Sequence, residues 1–272
     1  MSRINKIAEK AALANRKLLI PYLVAGDPNL ETTSAIMHKL VGQGADIIEL
    51  GIPFSDPSSD GPIIQRGVER ALAKGTTLKQ VLGLVAEFRK TDTDTGIVLM
   101  GYLNPIEIMG YKAFAEAASA AGVDGVLTVD LPPMEADELN AMMRAVNVDT
   151  IFLVAPTTRE ERVASIIEHC SGYLYYVSLK GVTGAALTDF GSVTANINKL
   201  RERTQLPIVI GFGIKDAESA TAMGRLADGV IIGSALVEKI ALLADQVEHE
   251  SELLTDTIRV ISEAREALDK LV

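Results

Sequence analysis

The chain reads as an α/β protein, a single (β/α)8 barrel spanning 1–272 with an extra N-terminal helix and a long C-terminal helix. Three observations lead there. Short apolar runs of strand character alternate with amphipathic helical patterns from end to end, which specifies a parallel sheet. The alternation repeats eight times, the count that closes a barrel in preference to an open doubly wound sheet. The length of 272 residues suits one such barrel, and a hydrophobic fraction of 48% supplies its core.

Taken in order, residues 2–16 form a short amphipathic helix, and Leu18–Val24 (LLIPYLV) is the first strand. A helix over 30–43 precedes the strand 46–50, whose apolar residues on both faces belong to a parallel sheet covered on both sides. A loop rich in Pro, Ser and Asp follows, then a helical piece near 63–73 and a fuller helix near 77–90. Strand 97–101, helix 111–121, strand 124–129 and helix 135–146 come next. Strand 150–154, helix 159–170 and strand 173–178 lead to helix 191–203. Strand 207–211, helix 216–224, strand 228–232 and helix 234–245 complete the run. Apolar Leu253, Leu254, Ile258, Ile261, Ala264 and Leu268 recur at helical spacing within 247–271, a final amphipathic helix for the barrel wall.

A faint internal repeat supports the count. Gly44-Ala45-Asp46, Gly122-Val123-Asp124 and Leu226-Ala227-Asp228 each stand just before a strand, at the N-terminal end of the barrel. That end serves stability, so these aspartates are assigned no chemistry.

Bulk properties narrow the function. A net charge of −10 and a pI near 4.9 argue against nucleic acid or an anionic membrane as partner. The single cysteine, Cys170, allows no internal disulfide and suits a reducing compartment. The first residues carry charges throughout without an apolar core, unlike a signal peptide, and no apolar run approaches the ~20 residues of a membrane span. The expectation is a cytoplasmic protein.

Chemistry is expected at the C-terminal ends of the strands. Glu49, between Ile48 and Leu50, should point into a dry interior, where an isolated carboxylate is costly unless it has a task. Asp56 and Asp60 lie in the loop after strand 2; each also suits a turn, and spacing alone does not choose between them. Tyr102 follows strand 3, Asp130 follows strand 4, and Tyr175 lies in strand 6. Gly213 after strand 7, with Gly233 and Ser234 opening the helix after strand 8, fits a phosphate cradle of backbone N–H groups and helix dipole. Thr183 and Gly184 in loop 6 could close over the same anion. Tyr22, Met100, Tyr102, Leu127, Val129, Phe212 and Ile231 line an otherwise apolar mouth, suited to an elongated ligand with a flat apolar end and a phosphate end.

ELGIPFSDPSSDGP, with GVTGA at 181–185 and GFGI at 211–214, closely resembles the tryptophan synthase α-subunit family over essentially the whole length. The resemblance implies a TIM barrel that cleaves indole-3-glycerol phosphate to indole and glyceraldehyde 3-phosphate in L-tryptophan biosynthesis. It implies no metal or organic cofactor in this chain; pyridoxal phosphate belongs to the partner β subunit, which receives indole in an αββα complex through loops 2 and 6. Carried over, Glu49 matches the catalytic acid/base, Asp60 the carboxylate that meets the indole N–H, and Tyr175 a tyrosine near the glycerol portion. Thr183, Gly184, Gly213, Gly233 and Ser234 match the lid and phosphate cradle. Two departures bear on coupling to the β subunit: Ser58-Ser59 stand where members usually carry Leu-Ala, and Leu179, followed by Lys180, replaces a loop 6 arginine.

Other readings make distinct demands. A lyase working without a β subunit would turn over equally well alone. A Schiff-base aldolase would form a borohydride-trapped adduct on Lys180. A barrel kept only as a binding partner would not need both Glu49 and Asp60. Cys170, His38, His169 and His249 do not cluster at metal-ligand spacing.

Overall fold

The computed structural model describes residues 2–177, 190–211, 213–244 and 250–271. Eight strands, β1 (Leu18–Val24), β2 (Ile47–Gly51), β3 (Gly96–Gly101), β4 (Gly125–Thr128), β5 (Asp149–Val154), β6 (Leu174–Val177), β7 (Ile208–Gly211) and β8 (Gly229–Ile232), close in sequence order into a parallel barrel. The ring shuts where Leu18 pairs with Gly229 and Leu19 with Val230.

Twelve α-helices are described: α1 (Arg3–Leu13), α2 (Leu30–Gly42), α3 (Pro62–Ala73), α4 (Leu78–Phe88), α5 (Leu103–Met109), α6 (Tyr111–Ala121), α7 (Asp137–Ala145), α8 (Glu160–His169), α9 (Phe190–Arg201), α10 (Ala217–Gly224), α11 (Ser234–Ala241) and α12 (Glu250–Asp269). The helix α5 falls where the periodicity left a loop. Its Pro105 sits in the first turn, where a missing N–H is harmless, and Asp130 accepts the Leu103 N–H at 2.8 Å. The helices α1, α4 and α9 end two or three residues short of their apolar pattern, whereas α3, α6 and α10 end where it does; Cys170 caps α8 from outside it.

Alternation along each strand sorts two cores. Leu18, Ile20, Tyr22, Val24 and Ile47 pack inside the barrel with Val98, Leu127, Ile151, Tyr173, Tyr175, Val209 and Ile231. Leu19, Leu23, Ile48 and Leu50 face outward into the layer shared with the helices. The helix α1 plugs the floor: Ile4 is fully buried, and Gly125 leaves room for it, since a Cβ there would stand 3.0 Å from Ile4 Cδ1. The helix α12 buries Ile258, Ile261, Ala264 and Leu268 against the wall and packs on α10, α11 and α2.

The repeated aspartates are clasps. The N–H of Asp46 donates to Leu19 O, and the Asp46 carboxylate takes the Leu19 N–H at 2.9 Å in return. Asp124 does the same with Ile97, and Asp228 with Ile208. Ser171 performs it for Thr150 with its hydroxyl oxygen, a fourth instance the sequence repeat did not contain. Every odd strand is thus tied at its start to the segment leading into the next. Arginines complete the three charged clasps: Arg16 on Asp46, Arg3 and Arg89 on Asp124, Arg201 on Asp228.

Candidate active site

Strand β2 delivers Glu49 to the barrel interior, level with Tyr22 on β1 and Val98 on β3. Glu49 is fully buried. Tyr173, at the threshold of β6, donates its hydroxyl to Glu49 Oε1 at 2.5 Å, while Oε2 has no hydrogen-bond partner among the described residues. Burial is the main influence on this acid, and the Tyr173 hydrogen bond opposes it only partly. The Glu49 carboxyl is therefore pushed up from 4.5 to about 7. A carboxyl poised there can give and take a proton at neutral pH.

Asp60 stands in the loop between β2 and α3, half-buried, and the loop folds it back onto the mouth. Tyr102 donates its hydroxyl to Asp60 Oδ2 at 3.0 Å. Gln65, in α3, donates to the Asp60 carbonyl at 2.8 Å. Desolvation raises the Asp60 carboxyl above its ordinary range, and the Tyr102 bond draws it back down. Asp56 is exposed in the same loop and takes the Ser55 hydroxyl hydrogen at 2.6 Å.

Two further tyrosines feel the charge of both acids. Tyr22 and Tyr175 are buried, and both hydroxyls are held well above their ordinary range by desolvation and by Asp60 and Glu49 together. They remain protonated donors at any physiological pH. Both lean over glycines: a Cβ on Gly51 would come within 2.9 Å of Tyr22 Cζ, and one on Gly211 within 2.6 Å of Tyr175 Cε1. The ring of Tyr22 also passes Gly233, where a Cβ would stand 3.4 Å from Cδ1. This one side chain therefore runs from the end of β8 to the acid-bearing strand.

Of the remaining expected lining, Leu127 and Ile231 lie in the interior core, with Met100 and Val129 half-buried against it. Tyr102 belongs instead to the N-cap of α5, its hydroxyl turned to loop 2. Gly213 follows β7 with φ +75°, a conformation that favours glycine. Gly233 and Ser234 begin α11 without a side-chain cap, which leaves that N-terminus able to meet an anion. Thr183, Gly184, Phe212, Leu179, Lys180 and His249 lie outside the described residues. Asp130 serves α5 as its cap.

Sequence reasoning missed Tyr173. The signal was present, because Tyr173 and Tyr175 stand two apart and so share one face of their segment. Among the described residues no group of three or more His, Cys, Asp or Glu side chains is placed to hold a metal ion. No described helix is long and apolar enough to cross a membrane.

The family model described as "Tryptophan synthase alpha chain" matches residues 8–266. A tryptophan synthase alpha chain from Marinobacter nauticus is 55% identical over 271 residues, covering 100% of this chain and 99% of that one. One from Thioalkalivibrio sulfidiphilus is 52% identical, covering 99% and 100%. Among solved structures, tryptophan synthase subunit alpha from Legionella pneumophila superposes with a TM-score of 0.90 at 44% identity, covering 99% of each chain. Tryptophan synthase from M. tuberculosis in its aminoacrylate-bound form gives 0.86 at 32% identity, covering 98% of this chain and 100% of that chain.

Proposed function

The chain belongs to the tryptophan synthase alpha chain family, and from that premise we propose how its residues perform the family reaction. That reaction is the cleavage of indole-3-glycerol phosphate to indole and glyceraldehyde 3-phosphate in tryptophan biosynthesis. Glu49 delivers its proton to C3 of the indole, which places positive charge on the ring nitrogen. Asp60, ionised, accepts the indole N–H and stabilises that charge. Glu49, now a carboxylate, removes the proton of the adjacent side-chain hydroxyl. The oxygen's electron pair becomes the carbonyl, the carbon–carbon pair returns to the ring, and indole leaves with Glu49 protonated again. Two carboxyls in different surroundings take the two roles.

One setting carries the assignment: Glu49 is fully buried, burial pushes its carboxyl up to about 7, and its Oε2 has no hydrogen-bond partner among the described residues. Tyr175 contacts the glycerol portion, and Gly213, Gly233 and Ser234 cradle the phosphate beneath Thr183 and Gly184. Tyr22, Met100, Leu127, Val129, Phe212 and Ile231 hold the indole. Because the two carboxyls supply both proton transfer and charge stabilisation, the chain works without a cofactor of its own, pyridoxal phosphate serving the β subunit.

The chain acts as one domain in the cytoplasm, and a β subunit docks over loops 2 and 6. Exposure of Asp56, Ser58 and Ser59 beside the mouth supports the docking, and the lone cysteine supports a reducing compartment. Indole release from indole-3-glycerol phosphate, assayed with the chain alone and with a β subunit, tests the reading. Release that rises on adding the β subunit supports it, and no release under either condition overturns it.

A further inference from the structure

Asp60 is the one acid of the pair that rides on a loop, and its placement has to come from elsewhere. The Tyr102 hydroxyl donates to Asp60 Oδ2 at 3.0 Å and accepts the N–H of Ser59 at 3.0 Å. One oxygen therefore grips both the carboxylate and the backbone beside it. The tyrosine itself is 4% exposed. It follows directly on β3 and occupies the N-cap position of α5, whose first N–H is held by Asp130. Phe54, from the start of loop 2, lies against its ring with centroids 5.4 Å apart and planes 31° apart.

We propose that Tyr102 is a positioning residue, which transmits the rigidity of the β3 end to Asp60 and holds the carboxylate aimed at the indole nitrogen. The inference rests on the role given to Asp60 above. It assigns Tyr102 to the polar end of the site, in place of the apolar lining its residue type suggests. Gln65 complements it by holding the Asp60 carbonyl, so side chain and main chain are fixed from two different elements.

Electrostatics gives the arrangement a readout that fold maintenance alone would not move. The groups facing Asp60 are Tyr102 at the α5 N-cap, Tyr22 on β1 and Tyr175 on β6; Asp56 shares its loop. Burial raises the Asp60 carboxyl, and the Tyr102 hydrogen bond is the influence that lowers it. Removing that donor must raise the carboxyl further. Since the ionised form is needed, the acidic limb of activity then shifts to higher pH.

The test is indole release by Tyr102→Phe, Asp60→Asn and the double variant across a pH series, with thermal unfolding recorded for each. Tyr102→Phe should retain its melting temperature, lose about tenfold in kcat at neutral pH, and show its acidic limb displaced upward. In the Asp60→Asn background the Tyr102 substitution should add little, because the two residues act through one bond. Multiplying losses, or a Tyr102→Phe acidic limb that coincides with that of a cleaving wild type, overturns this proposal alone. A wild type that releases no indole overturns it together with the role of Asp60.

Discussion

Tyr173 gives its hydroxyl hydrogen to one oxygen of Glu49 across 124 residues of sequence, and no described residue hydrogen-bonds to the other oxygen. The bond sets the resting orientation of the acid and tempers the upward push that burial gives its carboxyl.

Removing the proton carrier should stop the reaction without emptying the pocket. Glu49→Gln keeps shape and polarity, so substrate should bind within a few-fold of wild type by calorimetry. Turnover should fall by at least about a thousandfold. Cleavage near the wild-type rate would dismiss the acid/base role.

The Tyr173 bond lowers the Glu49 carboxyl, so losing it raises the carboxyl beyond about 7. In Tyr173→Phe the pH–rate profile should therefore move to higher pH, with a stability loss of about 1–3 kcal/mol because a buried carboxyl is left without that donor. An unchanged profile would place the bond outside catalysis.

Glu49 also leaves a thermodynamic signature. Its carboxyl titrates at 4.5 ordinarily and at about 7 in the folded chain. Below the lower value both states hold the proton and nothing is lost. Between the two the unfolded chain releases it first, so stability falls as pH rises. Above about 7 the penalty is constant, at roughly 3 kcal/mol. Chemical denaturation of wild type and Glu49→Gln should give a stability difference that drifts by this amount between pH 4.5 and 7. A difference independent of pH would contradict the buried setting.

The two loop aspartates should separate in the same assay. Asp60→Asn loses the charge at the mouth and should be severely impaired, whereas Asp56→Asn alters an exposed turn bonded to Ser55 and should be milder. The opposite order in kcat would mean that Asp56 is the working carboxylate.

At the barrel floor, burial decides the cost. The side chains of Asp124 and Arg89 are 7% and 10% exposed, and Asp124→Ala takes the shared carboxylate from two arginines and the side-chain acceptor from the Ile97 N–H, so a loss of about 3–5 kcal/mol is expected. Asp228 and Arg201 are 41% and 43% exposed, and losing that ion pair should cost about 1 kcal/mol or less. Urea unfolding midpoints compare the two directly, and similar losses would show that solvent screening does not separate them.

Much of this was legible in residue order. Strand β1 occupies the span its apolar run marks, and Glu49 between two aliphatic residues already announced an acid inside the sheet. What hid was long-range or conformational. No local pattern pairs Tyr173 with Glu49, because the barrel must close before they meet. Ser171 escaped the clasp repeat because a hydroxyl replaces a carboxylate in a role where only a lone pair is required. Tyr102 looked like pocket lining because aromatic character says nothing about where a hydroxyl will turn.

The fourfold clasp has a practical sequel. Amides of Leu19, Ile97, Thr150 and Ile208 each surrender their hydrogen to a side chain on the neighbouring segment. One substitution at Asp46, Asp124, Ser171 or Asp228 therefore unhooks one quarter of the foundation while the main-chain ladder above it stays intact. Deuterium uptake at these amides would then work as a set of independent strain gauges, able to tell which side of the cylinder yields first when the opposite rim is loaded.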